Sequence, residues 1–311
     1  MKFRDKINYW FLNATLYPLS LLPLKALYPL ADAVAWIARV PLGYRRRVIR
    51  ENLSSSFPDA SRKELRRFEK DFYRFLADYG VETVKLLTMS ERQMRRRLRL
   101  ENVEPVARAL SEGRNVTLFL GHYCNWEWVS SLPLHFPANA ECAQIYHPLH
   151  NKGMDRIFQK IRTRFGANNV AMDDILKKLI GWKRNGTPSV TGYIADQAPG
   201  INYHLFTDFL NHDTGVYTGP ERISKFLDAE VWYCHMSRPR RGEYALRFEP
   251  VEMNPKKAET FEISRKCFRM LEKNILEAPQ YWLWSHRRWK RGREQFNAYW
   301  GDKAAEQLSH L

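Results

Sequence analysis

VTLFLGHYCNWEW, residues Val116–Trp128, is the stretch of sequence that decides the expected fold. It begins with a largely apolar run, Val116–Leu120, which stops at Gly121 and is followed by His122 and, five positions later, Glu127. This pattern predicts a buried β-strand that ends in a tight turn, with a histidine and a carboxylate just beyond the strand. Ligands bind at the carboxyl ends of strands in open α/β sheets, so the segment predicts both an α/β fold and the position of its site.

The spacing of His122 and Glu127 predicts how the two side chains meet. Positions five apart on a regular helix lie about 140° from each other, so the pair does not share one helix face. The spacing instead predicts His122 in the turn, Asn125 as the N-cap of a following helix, and Glu127 in its first turn. Glu127 can then fold back to the imidazole, fix its tautomer and leave the other ring nitrogen as a base. In the alternative interpretation, the histidine is an ordinary loop residue and the glutamate only favours the helix dipole.

The block GHYCNWEW, residues 121–128, resembles the GH-x-x-N-W-E block of the bacterial lipid A biosynthesis (lauroyl/myristoyl-type) acyltransferases. That family belongs to a wider group of glycerolipid acyltransferases that share an H-x4-D/E pattern. Four further blocks resemble the family in the order in which it carries them: YRRRVIRENLSSSFPD (44–59), IYHPLHNKGMDRIFQKIRTRFG (145–166), ADQAPG (195–200) and PQYWLWSHRRWK (279–290). The resemblance spans nearly the whole chain and implies an acyltransferase in which His122 and Glu127 are the catalytic residues.

The same resemblance implies a set of substrate-binding residues. His147 stands where the family usually has an arginine that would hold a phosphate or stabilise an oxyanion. Arg162 and Arg164 match the arginines that follow in the family and would supply the positive charge instead. Asp196 either orients a basic residue or the acceptor, or belongs to a structural turn of the kind that aspartate, proline and glycine favour. The predicted substrate-binding residues are Asn125, His147, Arg162, Arg164, Asp196 and Gln197.

The 311-residue chain shows no linker rich in proline, glycine or serine and no internal repeat. Its hydrophobic content of 44% is ample for one large core. We expect a single acyltransferase domain over residues 41–311, with a mixed, largely parallel central sheet flanked by helices. Residues 1–40 are expected to form a separate, membrane-associating helical segment.

Residues 1–40 begin with the basic sequence MKFRDK and continue with a largely apolar stretch up to Ala38. Pro18, Pro23 and Pro29 are expected to break this stretch into short helices, and the roughly 20 apolar residues that a bilayer crossing requires are only marginally present. No small-residue cleavage site follows a short apolar core, so a secretory signal is not indicated. We predict an anchor that inserts into or lies in one leaflet of the inner membrane, on its cytoplasmic face. The alternative is a set of core helices.

The chain is strongly basic: 50 lysines and arginines against 34 aspartates and glutamates give a net charge of +16. This excess implies an anionic partner, which is a nucleic acid, an anionic membrane surface, an acidic carrier protein or a phosphorylated substrate. The segment YWLWSHRRWK, residues 281–290, suits a membrane boundary or single-stranded nucleic acid, or else a buried tryptophan face with exposed arginines. The four cysteines are scattered without a CxxC pair, which argues against a zinc site and a disulfide framework and suits a reducing cytosolic face.

The predicted reaction is a direct acyl transfer that needs no metal and no other cofactor. His122 takes a proton from a hydroxyl of a lipid A precursor, the oxygen attacks an acyl thioester, and a thiol leaves while amides or basic groups hold the oxyanion. The resemblance implies acyl carrier protein, or else CoA, as the carrier of the acyl group, and requires no cysteine at Cys124. His147 in place of arginine leaves room for a lysophospholipid or amino-lipid acceptor.

Two hypotheses from other classes compete with the enzyme. One is a basic nucleic-acid-binding protein, for which neither a paired zinc motif nor an RNP sequence is present and which leaves the apolar N-terminus unexplained. The other is a non-catalytic membrane-bound structural protein. We therefore expect an enzyme whose partners are an acyl thioester, a glycolipid or phospholipid acceptor and the anionic membrane, and not a nucleic acid.

Overall fold

A large twisted sheet forms the centre of the protein, whose computed structural model describes residues 3–201 and 203–309. The strands are β1 (Leu98–Glu101), β2 (Val116–Leu120), β3 (Glu141–Tyr146), β4 (Asn168–Ala171), β5 (Ser189–Ile194), β6 (Leu205–Phe209), β7 (His212–Val216), β8 (Glu230–Arg240) and β9 (Glu243–Glu252). β6 and β7 pair as a separate antiparallel hairpin. The other strands form one sheet in the order β1-β9-β8-β2-β5-β3-β4.

Neighbouring strands of the large sheet are parallel except for β8 and β9, which form an antiparallel hairpin. β9 and β1 therefore run against the direction of the other strands. The sheet is mixed and largely parallel, and helices flank it, which confirms the expected fold class. β2 lies between β8 and β5 and all of its residues are buried, which explains why its sequence is a continuous apolar run rather than an alternating one.

The helices are α1 (Phe3–Leu21), α2 (Leu24–Arg39), α3 (Arg46–Ser56), α4 (Arg62–Lys85), α5 (Glu91–Arg97), α6 (Glu104–Ser111), α7 (Lys152–Arg162), α8 (Ile175–Arg184), α9 (Gly219–Leu227), α10 (Glu262–Glu277), α11 (Arg293–Trp300) and α12 (Ala304–Ser309). In addition, a 3-10 helix, Trp126–His135, follows β2. α4 starts at a complete capping box between Ser61 and Glu64. These two side chains satisfy N–H groups that the first turn of the helix leaves unpaired.

The N-terminal region forms two helices rather than a series of short ones. Pro23 separates α1 from α2, but Pro18 lies in the last turn of α1 and Pro29 lies inside α2. The expectation that all three prolines interrupt the chain is therefore wrong. A proline removes a single backbone hydrogen bond from a helix, and the packing of α2 along α4 holds the helix together across this gap.

One face of α2 belongs to the main hydrophobic core. Its buried positions Leu24, Leu27, Ala31 and Ala35 recur every three or four residues, which is the period of one helix face. α1 packs against α7. Among residues 3–201 and 203–309, we find no helix with both the length and the apolar character needed to cross a bilayer. The predicted boundary at residue 40 stays a prediction.

Candidate active site

The register of the sheet brings two polar side chains together at its carboxyl edge. β2 and β5 are parallel neighbours, and Leu120 lies opposite Ile194 where the two strands end. His122 and Asp196 each follow two residues later and therefore emerge at the same level. Gly121 permits this approach, because a Cβ at that position would lie 3.3 Å from Asp196 Oδ2 and would collide with a core leucine.

Asp196 is the carboxylate that binds the imidazole of His122. The distance from His122 Nδ1 to Asp196 Oδ1 is 2.7 Å, and the backbone N–H of His122 donates to Asp196 Oδ2 over 2.9 Å. The indole N–H of Trp282 donates to the same Oδ2 over 2.7 Å. Two side chains from distant parts of the chain thus fix one carboxylate, which is itself almost completely buried.

The hydrogen bonds determine which ring nitrogen of His122 is available as a base. An ionised Asp196 accepts the proton on Nδ1, so Nε2 carries the lone pair. The side-chain amide of Gln197 lies 3.2 Å from Nε2 and donates to it. The His122 side chain is 18% exposed, so the imidazole is not sealed inside the protein.

Asp196 is ionised at neutral pH although it is buried. Burial favours the neutral carboxyl, but the charge of His122 and the hydrogen bonds from His122 and Trp282 outweigh it, so the pKa of Asp196 lies below its ordinary value. A carboxylate of this kind stabilises the imidazolium that forms when Nε2 takes up a proton.

The predicted contact between Glu127 and His122 is wrong, because Glu127 binds Arg162 instead. Arg162 donates from Nε over 2.8 Å and from Nη2 over 2.6 Å to the two oxygens of Glu127. The hydroxyl of Tyr79 lies 3.4 Å from the same carboxylate. Glu127 therefore forms a bidentate, largely buried ion pair, and its own catalytic role stays a prediction.

The path of the loop explains why Glu127 points away from the imidazole. Cys124 adopts a left-handed conformation with φ of +52°, and its backbone N–H donates to the carbonyl oxygen of Tyr281 over 2.9 Å. The chain then enters the 3-10 helix, whose first turn carries Glu127 to Arg162, the last residue of α7. The histidine and the glutamate consequently leave the loop in different directions.

Asn125 is enclosed in the protein and does not cap a helix. Its exposed fraction is 0%, its side chain makes no cap hydrogen bond, and its Nδ2 donates to Glu82 Oε2 over 2.7 Å. Glu82 also accepts hydrogen bonds from Tyr244 over 2.6 Å and Tyr28 over 3.1 Å. Asn125 therefore ties the loop to Glu82 on α4 and, through Glu82, to β9 and α2. This arrangement does not support a direct contact between Asn125 and substrate.

His147 and Arg164 make contacts of their own rather than joining the His122–Asp196 pair. His147 is exposed beyond the end of β3, with Nδ1 3.2 Å from the carbonyl oxygen of the next residue. Arg164 donates to the carbonyl oxygen of Met89 over 3.1 Å. Their predicted roles in substrate binding stay predictions, whereas Gln197 and Asp196 do lie against the imidazole.

A small cavity of about 40 Å³ adjoins the Glu127–Arg162 pair. It is lined by Glu127 and Arg162 on one side and by Leu120 and Ile194, at the ends of β2 and β5, on the other. Trp126 also lines it, and the Trp126 ring packs edge-on against the His122 imidazole with 5.1 Å between centroids. The indole of Trp126 therefore separates the cavity from the His122 imidazole.

Trp282 and Tyr79 contact the two carboxylates, although neither residue was predicted to belong to the site. Tyr79 lies on α4, and Trp282 belongs to the YWLWSHRRWK segment, where Trp282, Trp284 and also Arg288 are buried and only Arg287 of the two arginines is exposed. Of the interpretations for that segment, the buried tryptophan face fits the structure. A signal was present: a buried indole N–H or phenol needs a hydrogen-bond acceptor, and a nearby site carboxylate is one.

An α/β sheet that presents a carboxylate-held histidine at its carboxyl edge has the arrangement of a general base, a group that can activate a hydroxyl or amine for attack. The chain belongs to the bacterial lipid A biosynthesis acyltransferases, whose family model matches residues 1–291. This assignment confirms the resemblance seen in the sequence and makes the protein an acyltransferase. It favours the enzyme over the nucleic-acid-binding and structural hypotheses.

Curated relatives are in agreement with the family. The chain is similar to the lipid A biosynthesis palmitoleoyltransferase of Escherichia coli (strain K12) and to a lipid A biosynthesis acyltransferase of Shigella flexneri. Each is 24% identical over 283 residues, which cover 90% of this chain and 90% of the relative. Lipid A biosynthesis acyltransferase 2 of Shigella flexneri is 25% identical over 203 residues, 64% of this chain and 62% of that protein.

Proposed function

We propose that the protein moves a fatty acyl chain from an acyl thioester to a hydroxyl of a lipid A precursor, with His122 as the general base. The observation that carries the proposal is the 2.7 Å contact between His122 Nδ1 and Asp196 Oδ1, which leaves the lone pair on Nε2 to accept a proton when the acceptor hydroxyl takes the place of the Gln197 amide. The family supports an acyl transfer in lipid A biosynthesis. The thioester donor and the roles of individual residues belong to the proposal.

In this mechanism the proton travels from the acceptor oxygen to the leaving sulfur. His122 Nε2 removes the hydroxyl proton while the oxygen attacks the thioester carbonyl carbon. The tetrahedral intermediate then breaks its C–S bond, and the imidazolium returns the proton to the thiolate. Because a thiol has a pKa near 8.5, far below that of an alcohol, the base matters most during attack. Asp196 stabilises the imidazolium between the two steps.

Glu127 acts through Arg162 in the proposed mechanism. Burial lowers the pKa of Arg162, but the hydrogen bonds and charge of Glu127 outweigh burial and leave this pKa above its ordinary value, so the guanidinium stays charged. The ion pair uses Nε and Nη2, and Nη1 has no hydrogen-bond partner among the residues that the structure describes. The unused Nη1 donors, beside the cavity, are suited to stabilise the negative charge that develops on the thioester oxygen.

We also propose that α1 and α2 bind the cytoplasmic face of the inner membrane. Phe3, Trp10 and Phe11 are exposed by 80%, 65% and 66%, and more apolar side chains of residues 7–44 are exposed beside them. Exposed apolar surface of this extent marks interaction sites, and aromatic rings favour the membrane interface. The basic segment Tyr44–Arg50 follows directly and would add about 1 kcal/mol for each basic residue near anionic headgroups.

Acyl transfer by the purified protein in detergent micelles tests the proposal. The acceptor is a lipid A precursor, the donors are an acyl carrier protein thioester and acyl-CoA in separate reactions, and mass spectrometry follows the product. We expect a mass gain of one acyl group with the wild type and none with His122→Ala at equal thermal stability. Transfer only to a lysophospholipid or an amino-lipid would contradict the proposed acceptor. Full activity of His122→Ala would overturn the mechanism. No transfer to any acceptor would overturn the function.

A further inference from the structure

A second, larger recess opens on the same side of the sheet as His122. This recess, here named the arginine groove, has a volume of about 740 Å³ and lies between α2, α4, the β8–β9 hairpin and the loop around Tyr281. β8 is parallel to β2, with Tyr233 opposite Phe119, so Arg238–Arg241 extend beyond the carboxyl end of β2. The groove therefore belongs to the ligand-binding edge of the sheet, beside the candidate active site.

A rigid ion-pair network forms one wall of the groove. Asp78 on α4 binds Arg238 over 2.7 Å and Arg241 over 2.6 Å. Arg241 also binds Asp32 on α2 over 2.7 Å. These contacts use the charges of both aspartates and of both arginines, and they fix the distance between the N-terminal helices and the sheet.

Two further arginines of the groove have no such partners. Arg74 and Arg240 both line it, and neither side chain makes a hydrogen bond or an ion pair with any residue in 3–201 or 203–309. Asp71 is the remaining carboxylate at the groove. An anionic ligand would thus meet two uncommitted guanidinium groups, whose planar N–H donors match the oxygens of a phosphate.

The surroundings of the groove indicate a ligand that belongs to a lipid. Trp36 lies one helical turn beyond Asp32, on the same face of α2, and is 62% exposed. An exposed tryptophan next to charged side chains is typical of the level of lipid headgroups. The groove therefore lies where the headgroup of a membrane lipid would meet the protein.

A row of aromatic rings links the groove to His122. Phe75 lines the groove, and the ring centroids of Phe75 and Tyr79 are 6.5 Å apart. Tyr79 packs against Trp126 at 4.2 Å, and Trp126 against the His122 imidazole at 5.1 Å. The groove and the base are therefore joined by one continuous set of packed aromatic rings.

We propose that the arginine groove is the subsite for the phosphate of the acceptor headgroup, bound by Arg74 and Arg240 while an acceptor hydroxyl reaches His122. The proposal rests on the proposed function, since it requires a lipid acceptor. Asp71 can accept hydrogen bonds from the hydroxyls of such a headgroup. The phosphate contacts position the acceptor and take no part in the chemistry.

The test compares two double variants with two acceptors in detergent micelles. Arg74→Gln/Arg240→Gln removes the uncommitted cations of the groove. Arg92→Gln/Arg96→Gln removes two exposed arginines of α5 and is the control with the same change in charge. The acceptor is used with its phosphate and after enzymatic removal of the phosphate. Initial rates give kcat and the KM for acceptor and donor separately.

The proposal predicts a specific pattern of KM values. Removal of the acceptor phosphate should raise the acceptor KM of the wild type and of the control by about tenfold or more, because charge-assisted hydrogen bonds are lost. The groove variant should have the raised acceptor KM already, with little further change when the phosphate is removed. Its kcat and its KM for the donor should stay close to the wild-type values.

Three results would overturn the phosphate subsite. In one, the groove variant shows the acceptor KM of the wild type; in the second, phosphate removal weakens wild type and variant equally. In the third, the KM for the thioester donor rises instead, which would assign the groove to the donor's phosphate. Arg240→Gln alone, on the exposed hairpin, repeats the test if the double variant is unstable. Absence of transfer by the wild type would instead be a failure of the proposed function itself.

Discussion

Asp196 and Glu127 are two carboxylates at the same edge of the sheet, and their partners separate their functions. Each of these two side chains is 2% exposed. Asp196 contacts the imidazole of His122, and Glu127 contacts the guanidinium of Arg162. An imidazole titrates near neutral pH, whereas a guanidinium keeps its charge. The first pair can therefore take up and release a proton, and the second can only hold a positive charge in place.

The contacts of the two carboxylates show what an H-x4-E pattern does and does not determine about a site. It delivers a histidine and a carboxylate to one loop, but the left-handed Cys124 sends Glu127 to α7. The histidine obtains its carboxylate from the neighbouring strand instead. Short spacing along the chain therefore defines a site, while strand register decides which groups bind each other within it.

The largest effect should come from removing the charge of Asp196. We expect Asp196→Asn to lower kcat by about 10²–10⁴-fold, because an asparagine does not stabilise the imidazolium as a carboxylate does. Glu127→Gln should lower kcat less. Steady-state kinetics measure kcat for both variants, and circular dichroism verifies that they fold. A larger loss of kcat in Glu127→Gln at equal folding would contradict Asp196 as the carboxylate that supports the base.

The pH dependence of these two variants provides an independent measurement. Loss of the negative charge beside His122 disfavours the protonated imidazole. The acid limb of kcat/KM should therefore move to lower pH in Asp196→Asn and stay in place in Glu127→Gln. Movement of the limb in Glu127→Gln alone would contradict the contacts of the two carboxylates.

The Glu127–Arg162 pair should contribute more to stability than to proton transfer. Removing one member of a buried ion pair leaves an uncompensated charge, so we expect Glu127→Gln to cost about 3 kcal/mol of the free energy of unfolding, at the lower end because Arg162 is 21% exposed. Glu127→Gln/Arg162→Gln should cost less than the sum of the two single variants. Urea denaturation of the four proteins measures the coupling, and additive costs would show that the pair does not interact.

Local patterns in the sequence were sufficient for the central strands and for His122. The apolar run of β2 ends at a glycine, and the segment of β5 lies between a proline and an aspartate, so both strands could be predicted with the bounds that the structure has. Those bounds place His122 and Asp196 at the carboxyl ends of strands. The sequence leaves open whether Asp196 orients a basic residue or the acceptor. Its contact with His122 agrees with the first alternative.

The remaining features depend on contacts between distant parts of the chain. Asp196 meets His122 across 74 positions because Leu120 lies opposite Ile194, and no local pattern fixes that register. The indole of Trp282 reaches the same carboxylate from 86 positions away. Asparagine is a common N-cap residue, but the amide of Asn125 donates to Glu82 instead. A buried carboxylate without hydrogen-bond donors costs more free energy than a helix terminus without a cap.

His286 should make the Asp196 region sensitive to acid without taking part in catalysis at neutral pH. Burial lowers the pKa of His286 to about 4, compared with about 6.5 in an unfolded chain. Between these values the unfolded state binds more protons, so stability is complete above pH 6.5 and falls as the pH drops towards 4. We expect His286→Asn to reduce this slope of melting temperature against pH. An unchanged slope would contradict the lowered pKa of His286. The half-buried His135, His212 and His235, whose pKa values are also lowered by burial, would contribute the rest of the slope.

The smallest effect should follow a change at Cys124, the residue between the two carboxylate pairs. Burial raises the pKa of the Cys124 thiol well above its ordinary value, and its exposed fraction is 0%, so it offers neither a thiolate nor access. Direct transfer to the acceptor needs no acyl-cysteine, and we expect Cys124→Ala to keep its activity within about twofold of the wild type. Intact-mass spectrometry after incubation with the acyl donor alone should show no covalent adduct. An acyl adduct that is present in the wild type and absent in Cys124→Ala, together with loss of turnover in a folded variant, would replace the direct mechanism by a two-step one.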